Sequence, residues 1–383
     1  MKQQMTSRER VIAAMKREDV DHVPCSPRYN PLYPEQRVGH GWHFPWGPSE
    51  LEMAEYNTTV LGVDPVLAVS IEAYEPAPGV SSRTWMDNGI LHKAYATPAG
   101  ELHASVRHSA LWPHGMNIPF FSDFNIGHFV EPWITTAEDV QRLSHIFVPT
   151  HSRERLAQRA FDLARVNETA ARHGCATITD IGRGLTGAMH LFGAEPLCLA
   201  TVENPALVEA WLELEHRLTL QFMQEAAELG VDIIVRNGFY ETCDFYSPAT
   251  LEHLLADRLT EEANLVRSAG KVAGYVANTG VMPMLDHLAR LPFHCIMCLD
   301  ISFHDVDCGV VQTKLGGSKS FWTGPSGAYD IAQGTPVQVR AAVRRAFESF
   351  GPRGLVITAC PSSHSIMPWE NTVAMIDEWK KLR

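Results

Sequence analysis

The sequence predicts an α/β fold: a (β/α)8 or TIM barrel occupying residues 1–383 as one domain, with an N-terminal helix and a β-meander insertion near residues 81–110. Three observations carry this expectation. Short β-branched apolar runs recur along the chain; helical patterns with clear start and stop signals separate them; and the runs number eight, the count that closes a parallel barrel. In chain order, Thr6 with Glu9 three residues on forms a capping-box pattern, and Val11, Ile12, Ala14 and Met15 supply the apolar stripe of a short helix. His22–Cys25 reads as a first strand. Residues 27–48 are irregular and rich in aromatics (Tyr29, Tyr33, Trp42, His43, Phe44, Trp46), which predicts a functional loop over the barrel mouth. A second strand falls at Asp64–Val69. The Asn88-Gly89 and Pro98-Ala99-Gly100 turns mark the meander.

The remaining six strands are expected at Ala176–Asp180, Val231–Arg236, Val272–Ala277, Cys295–Asp300, Ser320–Thr323 and Leu355–Ala359. Helices between them start at Asn204-Pro205, Ser247-Pro248 and Thr335-Pro336 and stop near Gly230, Gly270 and Gly351. A cap residue, a proline at the first helical position and a terminal glycine are the signals used. The Gly-rich stretch Gly182-Arg183-Gly184-Leu185-Thr186-Gly187 lacks dinucleotide-binding spacing and a P-loop lysine, so no nucleotide site is read there.

Composition narrows the function. The chain carries 32 basic and 44 acidic residues, a formal charge of −12, and no long basic run, which argues against nucleic acid or an anionic membrane as a partner. No apolar stretch is long enough to span a bilayer, the first ten residues do not read as a secretory signal, and the eight cysteines are scattered. A cytoplasmic protein is expected.

Several stretches are similar to those of the uroporphyrinogen decarboxylase superfamily. They are Arg8–Met15 leading to Asp21-His22-Val23-Pro24, then Thr97-Pro98-Ala99-Gly100, Ala194-Glu195-Pro196, Ser247-Pro248, Gly334-Thr335-Pro336 and Pro368-Trp369-Glu370-Asn371. These markers span nearly the whole chain in the family's order. The resemblance implies a (β/α)8 barrel and one of two chemistries: cofactor-free decarboxylation of a tetrapyrrole, or methyl transfer to or from a corrinoid protein, in which zinc assists. The decarboxylase is the poorer match. Its arginine-rich opening is represented only by Arg28 and Arg37, and a polycarboxylate needs several guanidinium forks. The methyltransferase branch uses a His-x-Cys pair after the strand at Val272–Ala277, and here Tyr275 and Ala277 stand in those places. Cys360 falls within about one residue of the remaining family ligand.

If the barrel forms, the groups at the strand carboxyl ends converge. The expected catalytic residues are Tyr240, Glu241, Asp300 and His304. The expected substrate contacts are Arg28, Tyr29, Trp42, His43, Arg183, Arg236, Asn237, Tyr275 and Asn278. The expected zinc ligands are Glu241, His304, Cys360 and His364. Asp300 reads as a general acid, or else as the cap of a helix over 304–311. Cys295 and Cys298, three apart on a strand, point to opposite faces and read as packing. The expected function is methyl transfer between a small methoxy, amine or thiol compound and a corrinoid carried by a partner protein, with a homodimer as the expected assembly. A decarboxylase and a non-catalytic ligand-binding barrel are the alternatives.

Overall fold

A computed structural model describes residues 4–27, 51, 53–361 and 367–383. Seven parallel strands form one curled sheet in chain order: β1 (Val66–Ala68), β2 (Ala176–Asp180), β3 (Ile233–Asn237), β4 (Val272–Val276), β5 (Cys295–Asp300), β6 (Ser320–Gly324) and β7 (Leu355–Ile357). The strand expected at His22–Cys25 is reduced to one bridging residue, Cys25, which pairs in parallel with Ile357 of β7. Ile357 N–H donates to the Pro24 carbonyl (2.9 Å), and on the other side Asp64 N–H donates to the Cys25 carbonyl (2.7 Å). Val23-Pro24 explains why so little ladder forms, since proline brings no N–H.

A side-chain lock holds this segment. Arg10 pairs with Asp21 (2.6 Å) and with Asp64, and Asp64 also accepts from Cys25 N–H (3.1 Å). Arg10 and Asp21 belong to the opening segment of the chain, and Asp64 lies just before β1. The helix Ser7–Met15 starts at Thr6 with the expected capping box. It packs Val11, Ala14 and Met15 against the inner face of the sheet.

Strand alternation sorts the sheet into two faces. Val66, Ala176, Ile178, Ile233, Val235, Val272, Val276, Trp322 and Val356 pack together inside. Their neighbours Leu67, Ile234, Ala273, Tyr275, Ile296, Phe321 and Ile357 pack outward against the helices. The helices Pro205–Glu228, Pro248–Ser268 and Pro336–Phe350 begin at the expected prolines. Ser247 Oγ and Thr335 Oγ accept from the third helical N–H of their helices.

The meander is built as expected from Ser81–Asp87, Ile90–Thr97 and Gly100–Arg107, with Phe129–Glu131 added as a fourth antiparallel strand. Asn88 and Gly89 both take positive φ, as a tight hairpin of this kind requires. No helix among the described residues is long and apolar enough to cross a membrane.

Candidate active site at the carboxyl ends of the strands

β5 contains a defect that decides where the chemistry can lie. Its pairing with β6 shifts register between Met297 and Leu299, and Cys298 adopts φ 66°, a conformation unusual for a residue with a side chain. The extra residue changes the phase of the strand. Cys295, Met297 and Cys298 all join the inner cluster, while Ile296 and Leu299 pack outward. The expectation that Cys295 and Cys298 face opposite ways therefore fails, because it assumed unbroken alternation. With Leu299 outward, Asp300 falls on the inner face; without the bulge it would face the helices.

Asp300 is buried at 4% exposure, and polar groups hold it tightly. Ser326 Oγ–H donates to Oδ2 (2.7 Å) and Ser302 N–H donates to Oδ1 (3.0 Å). A second carboxylate, Asp330, organises both serines: it accepts from Ser326 N–H (2.8 Å) and from the Ser302 hydroxyl. Arg345 completes the network by donating to Ser302 Oγ (2.6 Å). Burial pushes the Asp300 carboxyl above its ordinary range, and Asp330 adds to the push. Asp300 does not cap the following helix. That helix runs over Cys308–Leu315, starts later than expected, and is capped by Asp307.

Around Asp300, Asn278 Nδ2–H donates to the Cys298 carbonyl (2.6 Å) and Asp300 N–H donates to the Asn278 carbonyl (3.1 Å), tying the ends of β4 and β5 together. Asn237 ends β3 in inner-face phase, and its side chain accepts from Phe239 N–H (3.2 Å). Cys360 is fully buried against β6, its sulfur 3.8 Å from Thr323 Oγ1. Burial, with Cys298 and Asp300 close by, raises its thiol well above the usual range. The Cys298 thiol faces the Pro361 carbonyl at 3.8 Å. Gly324 keeps this corner closed, since a Cβ there would stand 2.1 Å from the Thr358 carbonyl oxygen.

Other expected site residues lie elsewhere. Arg236, Glu241 and Tyr275 are on the helix side of the sheet, in a fully buried ion cluster. Arg236 pairs with Glu262 (2.8 Å) and Glu241 (3.2 Å) and lies 3.8 Å from Glu215. Glu241 also accepts from Tyr275 Oη–H (2.8 Å) and Leu185 N–H (2.9 Å). His216 contacts Glu262 at 2.8 Å. The substrate contacts expected of Arg236 and Tyr275, and the catalytic role expected of Glu241, do not fit this placement, because all three groups are spent on one another. The Gly-rich stretch that follows β2 serves the same cluster. A Cβ on Gly184 would stand 2.2 Å from Arg236 Nη2 and 2.3 Å from Glu241 Oε1, and its φ is +39°. Burial pushes Glu241 up to about 7, as expected where three carboxylates share one guanidinium.

Arg183 is likewise occupied: it pairs with Glu72 and lies 4.8 Å above the Phe121 ring. Tyr240 Oη–H donates to Asp123 (2.8 Å), which also contacts His190 (3.0 Å) at the outer edge of the sheet ends. His304 is 78% exposed and turned toward Asp305 (3.0 Å), so it joins neither Asp300 nor Cys360. Arg28, Tyr29, Trp42, His43 and His364 lie outside the described residues, as does the aromatic loop.

The residues present do not fit the expected zinc set. Glu241 is behind the sheet, His304 is in solvent and Cys360 is inside; among the described residues no group of three or more His, Cys, Asp or Glu is arranged to hold a metal ion. Ser302, Ser326, Asp330 and Arg345 were not singled out by sequence. Ser326 sits two residues past β6, where the strand-end rule that selected Asp300 also applies. Arg345, in a distant helix, carries no such signal.

No family model matches the chain, and no curated protein matches it. Solved structures do resemble it. A methyltransferase from Methanosarcina mazei has a TM-score of 0.61 at 16% identity, covering 99% of both chains. A B12-independent methionine synthase from Shewanella sp. W3-18-1 has a TM-score of 0.47 at 11% identity, covering 94% of this chain and 96% of that one. The first likeness places the chain among proteins of this α/β barrel-like fold.

Proposed function

We propose that the protein is a cytoplasmic methyltransferase of the uroporphyrinogen decarboxylase superfamily. In this reading the Pro24–Ser26 segment closes the sheet into a single-domain barrel, and a small methoxy, amine or thiol compound exchanges a methyl group with a corrinoid protein. The observation that carries the reading is the inward, buried and acid-poised Asp300 at the strand ends. Removing a methyl group from oxygen, nitrogen or sulfur requires that the heteroatom leave as a weak base, and a positioned acid supplies this. As the carbon–heteroatom bond breaks and the methyl group bonds to the acceptor's nucleophile, Asp300 gives its proton to the leaving heteroatom and regains one from solvent. Ser326 and Ser302 hold the carboxyl through both states. The fold shared with the Methanosarcina mazei methyltransferase and the family-like markers support the class.

Decarboxylation of a polycarboxylate is less well supported, because Arg183 and Arg236 are already paired with Glu72 and with Glu241 and Glu262. The test is incubation of the full chain with reduced cobalamin and a panel of methoxy, methylamine and methylthiol compounds, following cobalt absorbance. Methylation of cobalt by one class, lost in Asp300→Asn, is the expected result. No spectral change with any class, together with ligand-induced thermal stabilisation, would favour the non-catalytic binding barrel.

A further inference from the structure

The opposite end of the sheet carries a cationic cluster that the proposed chemistry does not use. Five basic side chains meet around the loops that enter β4 to β7, and each donates to a backbone carbonyl. Lys16 Nζ reaches Gly270 O (3.4 Å), Arg17 Nη1 reaches Lys319 O (2.9 Å) and Arg267 Nη1 reaches Pro292 O (3.0 Å). Lys319 Nζ reaches Leu291 O, and Arg353 Nε reaches Arg17 O (2.6 Å). Among the described residues the one carboxylate in ion-pair range of this group is Asp19, 4.0 Å from Arg353 with both side chains exposed. Elsewhere in this acidic chain most buried or half-buried arginines are matched to carboxylates, as Arg10, Arg159 and Arg236 are.

Lys319 sharpens the contrast. It is 4% exposed, has three N–H donors, and among the described residues meets one carbonyl and no carboxylate. Burial, then the charge of Arg267, lowers it to about 8, which still leaves it mostly protonated at neutral pH. His294 sits among Lys16, Arg267 and Lys319, and burial with these charges keeps its ring neutral at about 4. Its Nδ1 accepts from Ala273 N–H (3.0 Å), so its Nε2 carries the proton and is a further donor.

Helix ends offset part of this charge. The helices Ser7–Met15, Pro248–Ser268, Cys308–Leu315 and Pro336–Phe350 all finish here, each presenting about half a negative charge. Four such ends and Asp19 against five cations leave an excess of about two positive charges. We propose that this face binds a phosphate-class oxyanion, inorganic or carried on a small metabolite, held by Lys16, Arg17, Arg267 and Lys319 at a second site remote from the strand carboxyl ends. Two formal negative charges and four acceptor oxygens match the excess charge and the spare donors.

The test is thermal melting of the full chain in rising inorganic phosphate, with ionic strength held constant by chloride. A saturable rise in melting temperature is expected, with the half-saturating concentration raised about tenfold or more in Lys16→Gln/Arg267→Gln, two side chains outside the strand-end site. Arg267→Gln alone, on an exposed helix end, serves if the double variant does not fold. An equal rise in the variant, or a rise that never saturates, would overturn the proposal: the cations would then only cap helix ends, and phosphate would act by exclusion from the surface.

Discussion

Two buried polar clusters lie on opposite faces of the same sheet, about one side chain apart in strand phase, and their chemistry differs accordingly. Behind the sheet, Arg236, Glu215, Glu241, Glu262 and Tyr275 satisfy one another. Inside, at the strand ends, Asp300 is held by Ser326 and Ser302 and is raised by burial, and among the described residues no cation pairs with it. A closed ion cluster fixes helices to strands; at the strand ends burial raises a carboxyl that, in the proposed chemistry, acts as the proton donor. The comparison separates structural charge from reactive charge by what each carboxylate is paired with.

The largest expected effect lies on the outer face. Arg236→Leu strands three carboxylates around an apolar side chain and should cost about 3–5 kcal/mol of stability, read by denaturant unfolding. A loss below about 1 kcal/mol would mean that the cluster does not hold the helices. Next comes its pH dependence. Glu241 is raised from the usual 4.5 to about 7 in the fold, so its contribution is complete below 4.5 and is lost as pH rises through 7. Stability should fall by on the order of 3 kcal/mol between pH 5 and 8 from this group, and Glu241→Gln should flatten that slope. A smaller effect belongs to the bulge. Cys298→Val, a β-branched residue forced to positive φ, should cost about 1–2 kcal/mol, whereas Cys298→Gly should keep the backbone and most of the stability. Equal losses in both would show that thiol packing, not backbone conformation, matters there.

Much of the frame was legible in the sequence. Pro205, Pro248 and Pro336 mark helix starts, and the β-branched runs become parallel strands, because both signals are local. Asn88-Gly89 gave the meander's hairpin for the same reason. The site was read less well, and strand phase explains most of the difference. Arg236 and Tyr275 stand at strand ends just as Asn237 and Asn278 do, but one step of alternation sends the first pair to the helices. Asp300, singled out in the sequence as an acid at a strand end, does lie buried there, although the bulge that turns it inward has no signature in Cys295-Ile296-Met297-Cys298. His304 was placed by proximity in sequence, and its loop carries it into solvent.

The distinction between the two faces is tested most directly by the methyl-transfer rate of Asp300→Asn, measured beside its melting temperature. The expected result is a rate lower by about 10²–10⁴ with a melting temperature within a few degrees of the parent chain, as for loss of a general acid whose amide replacement still accepts from Ser302 N–H and can donate to the Ser326 hydroxyl. A parent-like rate, or a loss of rate that merely follows loss of stability, would contradict it.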